Sequence, residues 1–370
     1  MKNTYVWCAA FALMALAHAG HAQILVGQTA GFSGPVSAGV QETTVGAKLY
    51  LDAVNAKGGI RGKQIKLLSL DDKFDPALAG ENARQLIEDR QVLAMFLTRG
   101  TPHTQAVLPL LNKYGVPLIG PSTGAMALHQ PVQRHVFNVR ATYQREAEKA
   151  IAQLVSMGFT RIGVVYANDS FGADGVEGVQ KGFTAGKLSA TFLEKFDRSK
   201  PDFAPIAAKV MPADAQAIIM VASGQAVVDA VTAFRAVGST AQIVTLSNNA
   251  SSGFIKSLGE QAPGVIVTQV FPYERSVGYA LVTQARELAK AKGLGDISPA
   301  MLEGFAAAKV LVEALRKAGA KPTRSSIQVA LEGMRKFDIG GLEISYSATD
   351  HTGLDFADLS IISANGKFKR

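Results

Sequence analysis

The side chains that carry most protein chemistry are thinly spread in this chain. Past residue 22 its histidines are His103, His129, His135 and His351, with no H-x-x-x-H or H-E-x-x-H spacing, and no cysteine follows Cys8. A His/Cys metal site is therefore not indicated, and no cofactor is expected. Gly31-Phe-Ser-Gly34 lacks the G-x-S-x-G spacing of a nucleophile elbow. Gly58-Gly-Ile-Arg-Gly-Lys63 has the wrong spacing for a phosphate loop and follows a helical pattern instead of opening one. No G-x-G-x-x-G follows the first strand pattern, so a dinucleotide is not expected either. What remains is binding chemistry. Small hydroxyl and amide residues recur where a strand pattern ends and a helix pattern begins: Gly31–Pro35, Thr98-Arg99-Gly100-Thr101, Gly120-Pro121-Ser122-Thr123-Gly124, Asn168-Asp-Ser-Phe171-Gly172, Ser223-Gly-Gln225 and Ser247-Asn248-Asn249. Free N–H groups at helix starts, with the positive end of the helix dipole, suit a carboxylate. For any one loop, ordinary helix capping is the plainer explanation. Their common position at strand C-termini, where open α/β sheets bind ligands, is what favours a site. Arg99 beside Thr101 offers a bidentate carboxylate clamp, unless it is a solvated surface arginine.

The elements that must position these loops alternate regularly. Ile24–Gly27, Ile65–Leu70, Val92–Leu97 and Val116–Ile119 read as strands; Thr43–Lys57, Asp75–Asp89 and His103–Lys113 read as helices, with Asp75 as cap and Pro76 at the first helical position. The pattern restarts after Val139. Helices are expected over Gln144–Met157, Asp174–Thr184, Phe203–Val210 and Ala226–Val237, and strands over Arg161–Tyr166, Ala190–Lys195, Ala217–Val221 and Ile243–Leu246. Helices of this length between short strands are the signature of parallel βαβ units. The last hundred or so residues hold too few strands for a third unit: Val265–Val270, helices over Val277–Lys292, Met301–Ala318 and Arg324–Glu332, and a final Leu359–Ile362 before an Asn365-Gly366 turn. Such a tail completes the two earlier units. The expected fold class is α/β, two doubly wound parallel-sheet lobes joined by three crossovers. The expected division is 23–141 plus 270–340 in an N-terminal lobe and 142–269 plus 341–370 in a C-terminal lobe, with a cleft between them.

Residues 1–22 are of another kind. Lys2 precedes an apolar run from Tyr5 to Ala17, and Gly20-His21-Ala22 has the small-x-small pattern of a secretory cleavage site. The run is too short for a permanent span, and Cys8 lies inside it, not at a lipid-attachment position. A cleaved signal peptide is expected, giving a soluble exported product that starts at Gln23 and has no cysteine, so its stability must come from its core. The 370 residues are 48% hydrophobic and carry a net charge of +8 with no long basic run, which does not point to nucleic acid.

Asn55-Ala-Lys-Gly-Gly-Ile-Arg-Gly-Lys-Gln-Ile65, Asp71-Asp72, Asp75-Pro76, Gly115-Val-Pro-Leu-Ile-Gly-Pro121 and Arg161-Ile-Gly-Val-Val-Tyr-Ala-Asn-Asp-Ser-Phe-Gly172 together resemble the periplasmic substrate-binding proteins of ABC transporters, of the leucine/isoleucine/valine-binding type. The resemblance runs over essentially the whole chain after the leader. It implies a type I periplasmic-binding-protein fold, a monomer that closes over one small ligand, and a membrane permease as partner. It further implies that a ligand carboxylate meets Thr101 and the Ser122–Thr123–Gly124 loop. Phe171 falls where the family usually places a tyrosine, Ser223 near a usual aromatic, and Gly39 where the first lobe often offers a large aromatic. The family's acidic partner for an α-ammonium would fall near Ser247, but Leu246-Ser247-Asn248-Asn249 holds no carboxylate. A buried ammonium without a counter-charge costs several kcal/mol. Either another carboxylate reaches in, or the ligand has no ammonium, and a small organic acid, aromatic acids included, is the expected ligand, with an amino acid as competitor. The expected ligand-binding residues are Arg99, Thr101, Ser122, Thr123, Gly124, Phe171, Ser223, Ser247 and Asn248. A receptor for a signalling partner and an exported amide or ester hydrolase are the alternatives; the hydrolase would need a base, and His103 alone lies near one of the loops.

Overall fold

The computed structural model describes residues 23–370, so the expected leader lies outside the described residues. Five parallel strands form the first sheet: β1 (Ile24–Ala30), β2 (Ile65–Asp71), β3 (Ala94–Phe96), β4 (Leu118–Ile119) and β5 (Val136–Phe137), in the order β2-β1-β3-β4-β5. Between them run α1 (Ser37–Ala56), α2 (Pro76–Arg84, continued by a wider turn to Asp89) and α3 (Thr101–Tyr114). Asp75 caps α2 by accepting from the Ala77 and Leu78 N–H groups, with Pro76 as the first helical residue.

The chain then crosses to a second unit. It holds α4 (Tyr143–Ser156), β6 (Ile162–Ala167), α5 (Ser170–Gly186), β7 (Leu193–Phe196), α6 (Ala204–Val210), β8 (Ala217–Val221), α7 (Gln225–Ala236), β9 (Gln242–Thr245), α8 (Ser252–Leu258) and β10 (Ile266–Gln269). Every residue of β8 is buried, as a central parallel strand covered on both faces requires. A second crossing returns to the first unit, adding α9 (Ala280–Ala291), α10 (Pro299–Lys317), α11 (Arg324–Glu332) and a short antiparallel pair, β11 (Phe337–Asp338) and β12 (Glu343–Ile344). A third crossing adds β13 (Asp358–Ile362) and β14 (Phe368–Lys369) antiparallel at the edge of the second sheet, whose order is β14-β13-β10-β9-β8-β6-β7. The architecture is α/β, with two doubly wound units and three crossings.

Among the departures from the sequence reading, two concern how the first unit is built. Residues 341–354 were expected with the second unit, yet Ile344, Tyr346 and Leu354 are buried in the first unit's core. The third crossing therefore falls later, because those apolar side chains need the only core their short connection can reach. Helix α1 starts at Ser37, not Thr43: Val36 at its N-cap makes no side-chain capping bond, so no local signal marks the start.

The first unit is held by the seam between α1 and α10. Gly304 on α10 faces the Thr43 carbonyl so closely that a Cβ there would lie 1.8 Å from that oxygen. This approach also brings the N-terminal turn of α10 beside the second unit, where the Ala300 N–H donates to the Ala250 carbonyl (3.0 Å). A Gly304→Ala variant must push two backbones apart; its expected cost is about 1–3 kcal/mol or more, read as a lower urea midpoint at unchanged slope.

Candidate functional site

The cleft loops meet, and the two lobes are closed on each other. Arg99, just after β3, spans the gap: its Nη1 donates to Ser122 Oγ (2.9 Å) in the first lobe and its Nη2 to the Asn248 carbonyl (2.6 Å) in the second. The Gln225 N–H donates to the Pro35 carbonyl (3.1 Å) across the same seam. Gly224, at φ 54°, lies so close that a Cβ would sit 1.9 Å from that carbonyl, so glycine is required by both conformation and space. Further out, Glu42 on α1 accepts from the Ser252 and Gly253 N–H groups (3.0 and 2.7 Å) at the start of α8, and Ser170 donates to Gln105 (2.7 Å). The Arg198 guanidinium lies 5.4 Å from the Phe74 ring of one lobe and 5.4 Å from the Phe171 ring of the other, ion-paired with Asp169.

Beside Arg99 lies a cavity of about 410 Å³. Gly34–Gly39 line it from the start of α1, Gly224 and Gln225 from the start of α7, and Asn248, Asn249, Ser251, Phe254 and Ser257 from the loop before α8 and α8 itself. Neither α1 nor α7 has a side-chain cap at its start, so the positive ends of two helices meet there. Arg99 is the one charged residue in that lining. It is 5% exposed and no carboxylate lies within ion-pair distance of it among the described residues. Burial pulls its pKa below the ordinary guanidinium value, opposed by Tyr143 and Glu303 and reinforced by Arg140 and Arg198. Gly39 opens towards the same space: a Cβ there would find Arg99 Nη2 and Ser251 Oγ at 3.9 Å, an ordinary contact.

The other expected residues are brought to the cleft but differ in what they do there. Ser122 is held by Arg99. Thr101 and Thr123 share a hydrogen bond (2.8 Å) and are fully buried, so their hydroxyls are already used on each other. The Gly124 carbonyl accepts from the Tyr143 N–H (2.8 Å), making it part of the first crossing. Phe171 packs edge-on to Tyr143 (4.9 Å between ring centres). Ser223 Oγ accepts from Asn248 Nδ2 (2.8 Å). Among these residues Arg99 and Asn248 line the cavity itself.

Ser247 leads to residues the sequence reading missed. Its hydroxyl accepts from Arg140 Nη2 (2.6 Å) and its N–H donates to Glu146 Oε2 (2.8 Å). Arg140 lies on the first crossing, 1% exposed, ion-paired with Glu146, with Glu303 Oε1 of α10 at 3.8 Å. Burial pulls the Arg140 pKa down, but Glu146 and Glu303 together carry it above its ordinary value. So a carboxylate does reach the loop that lacks one of its own, Glu146 from α4, while Glu303 from α10 approaches Arg140 behind it. The only local signal was a single glutamate inside each helix's otherwise apolar face: Glu146 beside Ala147 and Ala150, Glu303 between Leu302 and Phe305. His103 stacks on Phe74 (4.2 Å), neither ring nitrogen has a hydrogen-bond partner among the described residues, and burial pulls its pKa down to about 4, so at neutral pH it is uncharged.

Two α/β lobes, crossed by the chain three times and meeting around a cavity with a buried cation in its wall, have the architecture of a two-lobed solute receptor. The periplasmic binding protein family matches residues 23–362, and the chain belongs to it. It is 24% identical to the Leu/Ile/Val-binding protein of Escherichia coli K12 over 272 residues, 72% of this chain and 71% of that protein. Its fold is similar to that of a substrate-binding periplasmic protein from Ralstonia solanacearum (32% identity, TM-score 0.86, covering 94% of this chain and 99% of that one). It is also similar to a possible leucine/isoleucine/valine-binding protein from Rhodopirellula baltica (27% identity, TM-score 0.88, 96% and 98%). The type I periplasmic-binding-protein fold and the family expected from the sequence are thereby shown, and proteins of the Leu/Ile/Val-binding type are among its relatives.

The Arg140–Glu146 pair makes a direct prediction. Arg140→Met leaves Glu146 buried without its counter-charge, at an expected cost of about 3–5 kcal/mol in urea unfolding. Adding Glu146→Gln should recover most of that loss, giving a strongly non-additive double-mutant cycle.

Proposed function

We propose that the chain is the periplasmic solute-binding component of an ABC importer, made with a cleaved leader over residues 1–22, acting as a monomer and handing a small carboxylate to a membrane permease. The observation that carries the ligand class is Arg99. A guanidinium withdrawn from water and satisfied only by a hydroxyl and a carbonyl is electrostatically incomplete, and an anion in the adjoining cavity completes it. The starts of α1 and α7 add two further positive ends at the same wall. Among the described residues no Asp or Glu lines the cavity, so an amine-free organic acid fits its charge better than an amino acid, which remains the competitor. Val36, Phe254 and the unfilled space at Gly39 favour an acid with an apolar or aromatic body. Membership of a family of binding proteins, and a His103 with no partner to activate, support a binding role over catalysis.

The test is a thermal-shift screen of residues 23–370 against aliphatic acids, aromatic acids and amino acids, followed by calorimetry. A ligand at a hundred times its Kd should stabilise the protein by about 2.7 kcal/mol. Amine-free acids are expected to win, and Arg99→Gln to weaken the best of them by about 30-fold or more. Gly39→Trp, which fills the cavity, should weaken it further. Unchanged binding in Arg99→Gln would sink the carboxylate assignment, and leucine winning over every amine-free acid would sink the charge argument.

A further inference from the structure

The cavity beside Arg99 has a buried end and an open one. At the inner end Arg99, Val36, Asn248, Asn249, Ser251 and Phe254 are all buried. At the outer end Gly34, Pro35, Gln225 and Ser257 line the same space and are exposed. The space therefore runs from a guanidinium withdrawn from water out to solvent, although the lobes already touch on either side of it.

Two glycines fix that mouth. On one side the Gln225 N–H donates to the Pro35 carbonyl (3.1 Å), and a Cβ on Gly224 would lie 1.9 Å from that oxygen. On the other, a Cβ on Gly253 of α8 would lie 2.5 Å from the Ala38 Cβ of α1, while the Gly253 N–H donates to Glu42 (2.7 Å). Where an added Cβ would overlap its neighbour, the α-carbon itself is already in contact, so neither point leaves room for the lobes to close further over the gap between them. The groups around the mouth are solvated and of both signs: Gln225 Nε2 donates to the exposed Asp229 (2.8 Å), and the exposed Lys256 stands next to Ser257. Between the two ends the wall is apolar, with Val36, Ala38 and Phe254. A ligand reaching from Arg99 to the mouth loses water from its first part only, and a polar or charged group at its far end keeps its hydration.

We propose that the solute is an elongated carboxylic acid whose carboxylate meets Arg99, whose apolar middle lies along Val36 and Phe254, and whose far end leaves between Gln225 and Ser257 into water while the lobes are closed. The receptor thus reads the acid end of its solute and tolerates varied groups, charged ones included, at the other. The inference rests on the carboxylate reading above and adds to it the length of the solute and the chemistry allowed at its far end.

The experiment is calorimetry on residues 23–370 with sets of acids that differ only at the far end: octanoate, 8-aminooctanoate and suberate; decanoate, 10-aminodecanoate and sebacate; phenylacetate with its 4-aminomethyl and 4-carboxymethyl forms. In at least one set the uncharged parent should bind, and both of its charged forms should bind within about tenfold of it, whereas a sealed cavity would penalise an unpaired charge by roughly a hundredfold or more. Ser257→Trp, which sets a large side chain across the mouth, should weaken the longest acid that binds at least about tenfold more than the shortest. Loss of more than tenfold in both charged forms, in every set whose parent binds, overturns the proposal, because the liganded cavity is then sealed. So does binding by one sign of far-end charge only, which would mark a charged subsite there, or a Ser257→Trp that weakens long and short acids alike. If no acid of any set binds the folded protein, the carboxylate reading itself falls, and this inference with it.

Discussion

Two buried guanidinium groups set the terms for the rest of the molecule. Arg140 sits where the chain first passes between lobes, and the protein supplies its counter-charges from both sides, Glu146 of α4 and Glu303 of α10. Removing a charge from water costs far more than most single contacts return, so this cluster dictates where α4, α10 and the Ser247 loop can lie relative to the crossing. Arg99 is the same group one loop away, equally withdrawn from solvent, but given only neutral oxygens. The proposed carboxylate site rests on that contrast between a cation paired by the protein and one that is not.

The closed seam follows from the same loops. Gly224 lets one lobe's backbone approach the Pro35 carbonyl of the other, while Glu42 supplies from α1 the acidic cap that the start of α8 also receives from its own Ser251. Arg198 lies between Phe74 and Phe171 with its charge held by Asp169. The Glu42 and Arg198 contacts lie outside the cavity lining, whereas Pro35, Arg99, Gly224, Gln225, Asn248 and Ser251 belong to it. Closure and the cavity wall therefore share residues, so the cavity takes its shape from the meeting of the lobes.

Much of the fold was legible because its signals are local. Val/Ile/Leu runs such as Ala217–Val221 and the cap Asp75 act within a few residues, and the corresponding elements lie within a residue or two of their expected places, whereas α5 starts at Ser170, four residues before the expected Asp174, on a cap at Asp169 that the reading passed over. Where a local signal was missing, the reading slipped. Helix α1 starts six residues early on an uncapped Val36, and α8, only Ser252–Leu258, went unseen although Phe254 and Ser257 line the cavity. The cleft loops were recognisable as a set, since small polar residues at strand ends are a pattern in sequence. Their division of labour was not: Thr101 and Thr123 turn out to satisfy each other, while Arg99 faces the cavity.

By itself the sequence determined the alternation of strands and helices, the duplication of the α/β unit, the place of the candidate loops and the absence of a carboxylate between Leu246 and Asn249. Those properties depend on neighbours along the chain. Only the tertiary structure decided which charges meet across it. Glu146 and Glu303 lie about a hundred and more than fifty residues from Ser247, and no periodicity encodes that both reach the same crossing. Burial decided the rest: an arginine whose sequence context suited either solvent or a ligand is left 5% exposed beside a cavity with no anion of the protein's own, and that electrostatic incompleteness exists only once two lobes have closed around it.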